Sequence, residues 1–317
     1  MSGRIDLRRY AWPALGAFVV LFLANVAANP IFVDPDNWRP VMLGAAPFIL
    51  TALAQAPPVL AGNGGIDLSI GPLAGLVNAF VASFLYGHGI TDPASVIAIA
   101  LGIGIASGLV NGVLVTILRI QPIIATLGTF LVYQGLTLEV LPQAGGGAAP
   151  WLKALSGSVY DVPVVFLLLL AIAALWLLLG HTAYRRNLLA VGGDIRAAYT
   201  AGVNVAAVRI IAFVIAGVLA AVTGLVFTAA LGSADPAIGT PYILTSVAAV
   251  ALGGVALGGG RGGFLGAAAG GAILFLIENL FSLAQVSVYY IELAYGVILI
   301  AALALNGLGE RLGARRA

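Results

Sequence analysis

The stretch GNGGIDLSIGPL, Gly62 to Leu73, holds a single acid, Asp67, with Ser69 two residues on and apolar neighbours around both. An ionised aspartate in hydrocarbon costs about 2.5–3.5 kcal/mol on insertion scales. It survives where it faces water, protein dipoles or a partner charge. Gly62, Gly64, Gly65 and Gly71 interrupt a helix here, and Pro72 is suited to start the next. Asp67 and Ser69 are thereby placed near a helix N-terminus, whose free N–H groups and dipole favour a carboxylate. Two roles fit. One is a helix cap. The other is an irregular elbow that lines a polar path or holds a gate shut. Gln55 lies just ahead of Pro57-Pro58. That pair should kink or unwind its helix and leave carbonyls to face protein or a wet cavity, which makes the region a candidate passage wall.

Catalytic chemistry finds no foothold. The one lysine, Lys153, is followed by Ala154, so no phosphate-binding G-x-x-x-x-G-K-[ST] loop exists. The cluster GGVALGGGRGG lacks the lysine such a loop needs. No Ser-His-Asp set or carboxylate pair at helical spacing occurs, and there are no cysteines. His88 and His181 lie far apart near predicted helix ends and read as interfacial polar residues rather than metal ligands. The chain is therefore read as non-enzymatic, with no metal or cofactor of its own. Any ATP and Mg would be bound and used by another chain. A net charge of +2 argues against a nucleic-acid partner.

The elements that must hold these residues follow from composition. The chain has 317 residues, 61% hydrophobic and 8% charged, against about 25% charged in soluble domains. Lipid is its solvent. Long blocks of Leu, Val, Ile and Ala predict an all-α polytopic bundle rather than a barrel, forming one transmembrane domain over 1–317. We place ten spans at about 13–29, 41–61, 73–88, 94–118, 122–141, 163–180, 207–231, 242–257, 264–283 and 288–306. The third and eighth are short, which admits a broken or re-entrant helix. The first thirty residues could mimic a signal peptide, but a retained first span is preferred.

Charge sets the orientation. With both termini inside, the cytoplasmic segments carry Arg4, Arg8, Arg9, Arg119, Arg185, Arg186, Arg196, Arg261, Arg311, Arg315 and Arg316, with Arg209 at the edge. The outer segments carry only Arg39 and Lys153. Gly104, Gly108 and Gly112 repeat every four residues, as do Gly254, Gly258, Gly262, Gly266 and Gly270. Both series read as close helix packing, chiefly within one subunit. The runs from Ile49 and from Ile243 share a helix–elbow–helix pattern, with Asp67 opposite Arg261, which would fit an internal repeat. The longest polar cytoplasmic segment is His181 to Arg209. Within it Asp194 is suited to cap a short helix through Tyr199 that ends at Gly202. A short helix across the cytoplasmic face suits docking to a partner.

GGIDLSIG, NGVLVTILRIQPIIATLGTFLVYQGL, RNLLAVGGDIRAAYTAGVNV, GSADPAIGT and VALGGVALGGGRGGFLG occur in that order. Together they resemble the permease subunits of bacterial monosaccharide ABC importers, the ribose, galactofuranose and autoinducer-2 group. The likeness runs from about Leu43 to Leu305. Branched-chain amino-acid permeases are related but lack an aspartate in this I-D-L-S setting. The resemblance implies a multi-pass protein of the bacterial inner membrane, paired with a second permease subunit, identical or paralogous. Separate ATPase subunits would dock on the cytoplasmic loops, and a periplasmic sugar-binding protein would deliver the cargo. Asp67 matches the family's elbow acid. Asn111, Pro122, Thr126 and Gly128 match the motif of the fourth and fifth spans. Arg186, Gly192, Gly193, Ala197, Ala198 and Gly202 match the ATPase-coupling segment.

The candidate path or gate residues are then Gln55, Asp67, Ser69, Asn111, Gln121, Thr126 and Thr245. The candidate coupling residues are Arg185, Arg186, Gly192, Gly193, Asp194, Arg196, Ala198 and Gly202. Two departures stand out. Ile243 and Thr245 replace acids usual before the eighth span, and Pro57-Pro58 is unusual in the second. Both touch the expected sugar route, and a paralogous partner would be one source of the missing acids. The alternatives are a related ABC permease for nucleosides or branched-chain amino acids, or an ion-coupled carrier using Glu278.

Overall fold

The computed structural model describes the backbone of residues 7–314. Arg4, Arg315 and Arg316 lie outside the described residues, as do the side chains of Arg8, Arg9 and Arg311. The bundle is helical. Its long apolar helices are α1 (Leu7–Ala28), α2 (Pro35–Leu60), α4 (Pro93–Thr116), α5 (Pro122–Val140), α7 (Val164–Gly180), α10 (Val205–Leu231), α12 (Phe264–Leu283) and α13 (Val288–Ala314). Between them come α3 (Ile70–Ala79), continued by a π-helical turn at Phe80–Leu85, then α6 (Pro150–Lys153), α8 (Ala183–Gly193), α9 (Ile195–Thr200) and α11 (Tyr242–Leu252). A two-stranded hairpin, β1 (Ser158–Val159) with β2 (Val162–Pro163), caps the outer connection.

Local chemistry sets the helix starts. α2, α4 and α5 all open on proline, whose missing N–H costs nothing in the first turn. Asp92 caps α4 by accepting from Ser95 N at 2.9 Å, and that bond holds its carboxyl below the usual carboxylate range. Asn204 caps α10 through Ala207 N, and Gly232 closes it in the left-handed region at φ 66°.

α2, α4, α5, α10 and α12 are long and apolar enough to cross a membrane by themselves. α7 passes the same test only when taken together with α8, from which it is bent by 80° at the break. The other four predicted spans hold shorter apolar helices, at Trp12–Ala28, Ile70–Leu85, Tyr242–Leu252 and Tyr289–Ala301. The ten expected spans are thus all helical. The eighth is a correction: α11 stops at Leu252, five residues before the expected end at 257. Eleven residues rise only about 16 Å, half a hydrocarbon core of about 30 Å. The tail of the predicted span, with Gly254, Gly258 and Gly262, is an elbow, so that glycine series is not one helix face. Only Gly266 and Gly270 are helical, and their backbones press on Gly253 and Ala249.

At the centre lie α2, buried without a break from Leu50 to Leu60, and α10, which packs on α4, α2 and α3. The glycine series on α4 makes that closeness possible. A methyl group added at Gly104 would meet Gly217 O at 2.5 Å, and one at Gly112 would meet Ile210 Cα at 2.9 Å. Both contacts lie within the subunit. α1 packs on α12, where Asn25 Nδ2 donates to Leu276 O at 3.1 Å. α4 and α5 keep most of their surface outward. That surface is left for lipid or a partner subunit.

α2 answers one half of an expectation, that Pro57-Pro58 would kink or unwind the helix. It stays helical through Pro57-Pro58 to Leu60 rather than unwinding. Two prolines remove the amides that would have served the carbonyls of Leu53 and Ala54. The ladder then resumes, with Ala61 N donating to Pro57 O at 3.0 Å. The proline pair therefore ends its effect inside the last turns of the helix. The helix ends at Leu60, and the elbow follows.

Candidate functional site: the elbow clamp and the cytoplasmic arm

After α2 the chain makes an elbow over residues 61–69 and enters α3. Asp67 is 3% exposed within it. Its Oδ1 accepts from Ser69 N at 2.9 Å and from Ser69 Oγ at 2.6 Å. Ser69, rather than Asp67, holds the N-cap position of α3, and it makes no side-chain cap bond there. The carboxylate thus folds the approach to the helix instead of capping it. These two bonds offset part of the cost of burying the carboxyl group.

The bonds continue outward. Asn111 on α4 donates through Nδ2 to Ser69 Oγ at 2.9 Å, and its Oδ1 accepts from Thr129 Oγ1 on α5 at 2.8 Å. Thr126 Oγ1 accepts from Leu68 N at 3.1 Å and is 2.9 Å from Pro122 O, to which it donates. From the other side comes Gln55, fully buried on α2. With its amide turned to satisfy both neighbours, Gln55 donates to Asp67 O at 2.8 Å and accepts from Asp67 N at 2.9 Å. One side chain then does for Asp67 what a neighbouring strand does in a sheet. Residues from α2, α4 and α5 so grip one elbow, and the buried polar groups named here are paired with one another.

Of the predicted path residues, the structure brings Gln55, Asp67, Ser69, Asn111 and Thr126 into this clamp. It does not bring in Thr245, which is buried in α11 and donates to Pro241 O at 2.8 Å. Gln121 is exposed at the start of α5, on the wall of a cytoplasmic cleft. Thr129 joins the clamp, and Ser107 donates to Tyr133 Oη at 2.6 Å beside it. The Ser107–Tyr133 pair is hard to find from sequence, because a lone Ser in an apolar helix looks the same whether it bonds its own helix or a neighbour.

The polar segment forms an arm across the same end. After the 80° bend, α8 leaves α7 and runs to Gly193. Asp194 caps α9 by accepting from Arg196 N at 2.8 Å and Ala197 N at 3.0 Å, and the turn closes at Gly202 with φ 82°. Leu188 and Val191 bury the inner side of α8, and burial pushes the Tyr184 phenol up. The predicted coupling residues divide into two sets. Arg186, Gly193, Asp194, Arg196 and Gly202 are exposed and Arg185 is half-buried. Ala198 is buried in the core, and Gly192 is pressed against backbone.

That last contact joins three parts of the fold. A second elbow, residues 253–263 between α11 and α12, reaches the first, with Gly260 N donating to Leu60 O at 3.1 Å. A methyl group on Gly192 would overlap both Leu60 O and Gly260 N. Gly62 and Gly260 turn with φ 75° and 69°, a region that favours glycine. The Ile49 and Ile243 runs are both helix–elbow–helix, but their helix lengths are reversed, 26 then 10 residues against 11 then 20. Asp67 is buried in one elbow and Arg261 exposed in the other.

A charged arm laid on two joined elbows, within a bundle of apolar helices, is the architecture of a polytopic helical membrane protein. The chain belongs to the family described as branched-chain amino acid transport system / permease component, whose match covers residues 40–303. It is 34% identical to the ribose import permease protein RbsC of Bacillus subtilis (strain 168), over 93% of this chain and 91% of that one. It is 32% identical to the protein of the same name from Haemophilus influenzae, over 93% of each. It is also 33% identical to the autoinducer 2 import system permease protein LsrC of Yersinia enterocolitica, over 93% of this chain and 81% of that one. No solved structure matches the chain.

Proposed function

We propose that the chain is the membrane-spanning subunit of an ABC importer that moves a monosaccharide inward across the bacterial inner membrane. It is a non-catalytic conduit. Energy comes from separate ATPase subunits docked under the arm, which bind the ATP and Mg. A periplasmic binding protein delivers the sugar, and a second permease subunit, identical or paralogous, completes the passage. The observation that carries this reading is similarity to ribose and autoinducer-2 import permeases over more than nine-tenths of this chain.

The geometry supports the division of labour. Asp67, Ser69, Asn111 and Gln55 use their polar groups on one another. They hold an elbow in place rather than offering a tight site to a sugar. Conduction is served by weak contact with cargo. The arm is joined to both elbows by backbone contact at Gly192, so force applied from the cytoplasm reaches the ends of α2 and α12.

Reconstitution tests the proposal. Proteoliposomes holding this chain with its cognate ATPase subunit, binding protein and ATP should accumulate labelled pentose or hexose. Those holding this chain alone should not. Accumulation by the lone chain under an ion gradient would overturn the reading.

A further inference from the structure

Beside the arm a cleft of about 1690 Å³ opens between the α4–α5 turn, the first elbow, α9 and the start of α10. Arg119, Arg196 and Arg209 line it, and no Asp or Glu is among its lining residues. Arg209 is 6% exposed, yet its Nε and Nη2 are buried with no hydrogen-bond partner. The hydroxyl oxygen of Thr116, on the same wall, is buried and unpartnered too. Among the described residues only one other buried side-chain atom, Asn25 Oδ1, shares that condition. Three of the four orphaned atoms among the described residues thus belong to two residues of one cleft wall.

A guanidinium does not give up its proton, so burial leaves Arg209 needing both an acceptor and a countercharge. α5 and α10, 19 and 27 residues long, begin on the cleft wall at Pro122 and Val205, which adds the positive ends of two helix dipoles. A neutral sugar offers no countercharge, so the cleft does not fit the cargo. It is also far larger than a small inorganic anion requires, and it is continuous with the exposed faces of Arg196 and Tyr199 on the arm.

We propose that this cleft receives an acidic side chain of the ATP-hydrolysing partner, with Arg209 as the buried anchor and Arg119 and Arg196 as the steering rim. The proposal rests on the docking reading above and names the chemistry of that contact. The Arg209 and Thr116 side chains turn toward a carboxylate that enters the cleft, so that the guanidinium pairs with it and the hydroxyl donates to it. Arg119 and Arg196 raise its rate of encounter, an effect that salt screens.

The test is binding of the cognate ATPase subunit to the full-length permease in phosphatidylcholine nanodiscs, at low and high salt. Arg209→Met should weaken binding at least tenfold. Arg119→Gln with Arg196→Gln should flatten the salt dependence. The Arg209→Met permease alone should unfold at a temperature no lower than wild type, since it loses an unpaired buried charge. Variant affinities and salt slopes within twofold of wild type would overturn the cleft proposal while leaving docking intact. Absence of wild-type binding would overturn docking as well. Should Arg209→Met fail to fold, the rim pair decides. Competition between phosphatidylglycerol vesicles and the ATPase subunit for the wild-type cleft would assign it to lipid and also overturn the proposal.

Discussion

The amide of Gly260 donates to the carbonyl of Leu60 at 3.1 Å, and the backbone of Gly192 lies against both. Two elbows distant in sequence and the arm across the cytoplasmic face thereby meet at one point made of main chain. Main-chain contact has no rotamers to yield. Under the proposed function, displacement of the arm would be passed to the elbows instead of being absorbed.

The neighbouring glycines Gly192 and Gly193 should respond oppositely to alanine. A methyl at Gly192 overlaps Leu60 and Gly260, whereas at Gly193 nothing lies within 4 Å. Gly192→Ala should cost about 1–3 kcal/mol in overpacking and abolish ATP-driven uptake. Gly193→Ala should stay within about 0.5 kcal/mol of wild type. Thermal unfolding in detergent and proteoliposome uptake read the two effects. Equal tolerance at both positions would remove the junction from the mechanism.

Gln55→Leu should destabilise the elbow specifically. It fills the same space but strands the N–H and carbonyl of Asp67, both paired by Gln55. The expected cost is about 1–3 kcal/mol per stranded group. Hydrogen exchange over residues 61–69 should rise while that of α10 does not. Unchanged protection would show that the elbow is held by other contacts.

Asn111→Ala tests the clamp from the other side. It removes the donor to Ser69 Oγ and the acceptor for Thr129 Oγ1. Loss of about 1–3 kcal/mol is expected, and the double variant with Thr129→Val should cost less than the two singles added, because the residues share a bond. Strict additivity in a double-mutant cycle would disprove the coupling.

Glu278 accepts from Tyr295 Oη at 2.7 Å. In an ion-coupled carrier that acid would bind the driving ion. Here Glu278→Gln, which keeps an oxygen acceptor, should leave uptake dependent on ATP and close to wild type. A variant that lost proton-driven uptake would revive the carrier reading.

Much of this protein follows from composition and pattern. Apolar blocks and arginine asymmetry predict ten helical spans, and Asp194 with Gly202 marks out α9, because caps and span lengths are short-range matters of propensity and solvent. The glycine spacing on α4 also reads correctly as close packing. Other features need the fold. Sequence does not tell that Gln55 spends its amide on the backbone of Asp67, that Ala198 faces the core, or that α11 stops at Leu252. Nor does it tell that Arg209, Arg119 and Arg196 share a cleft. A polar side chain chooses its partner across helices, and the choice depends on which faces meet once backbones approach. Prolines and capping residues mark where several helices begin, but tertiary contact decides which polar atoms find partners across helices and which remain unpaired.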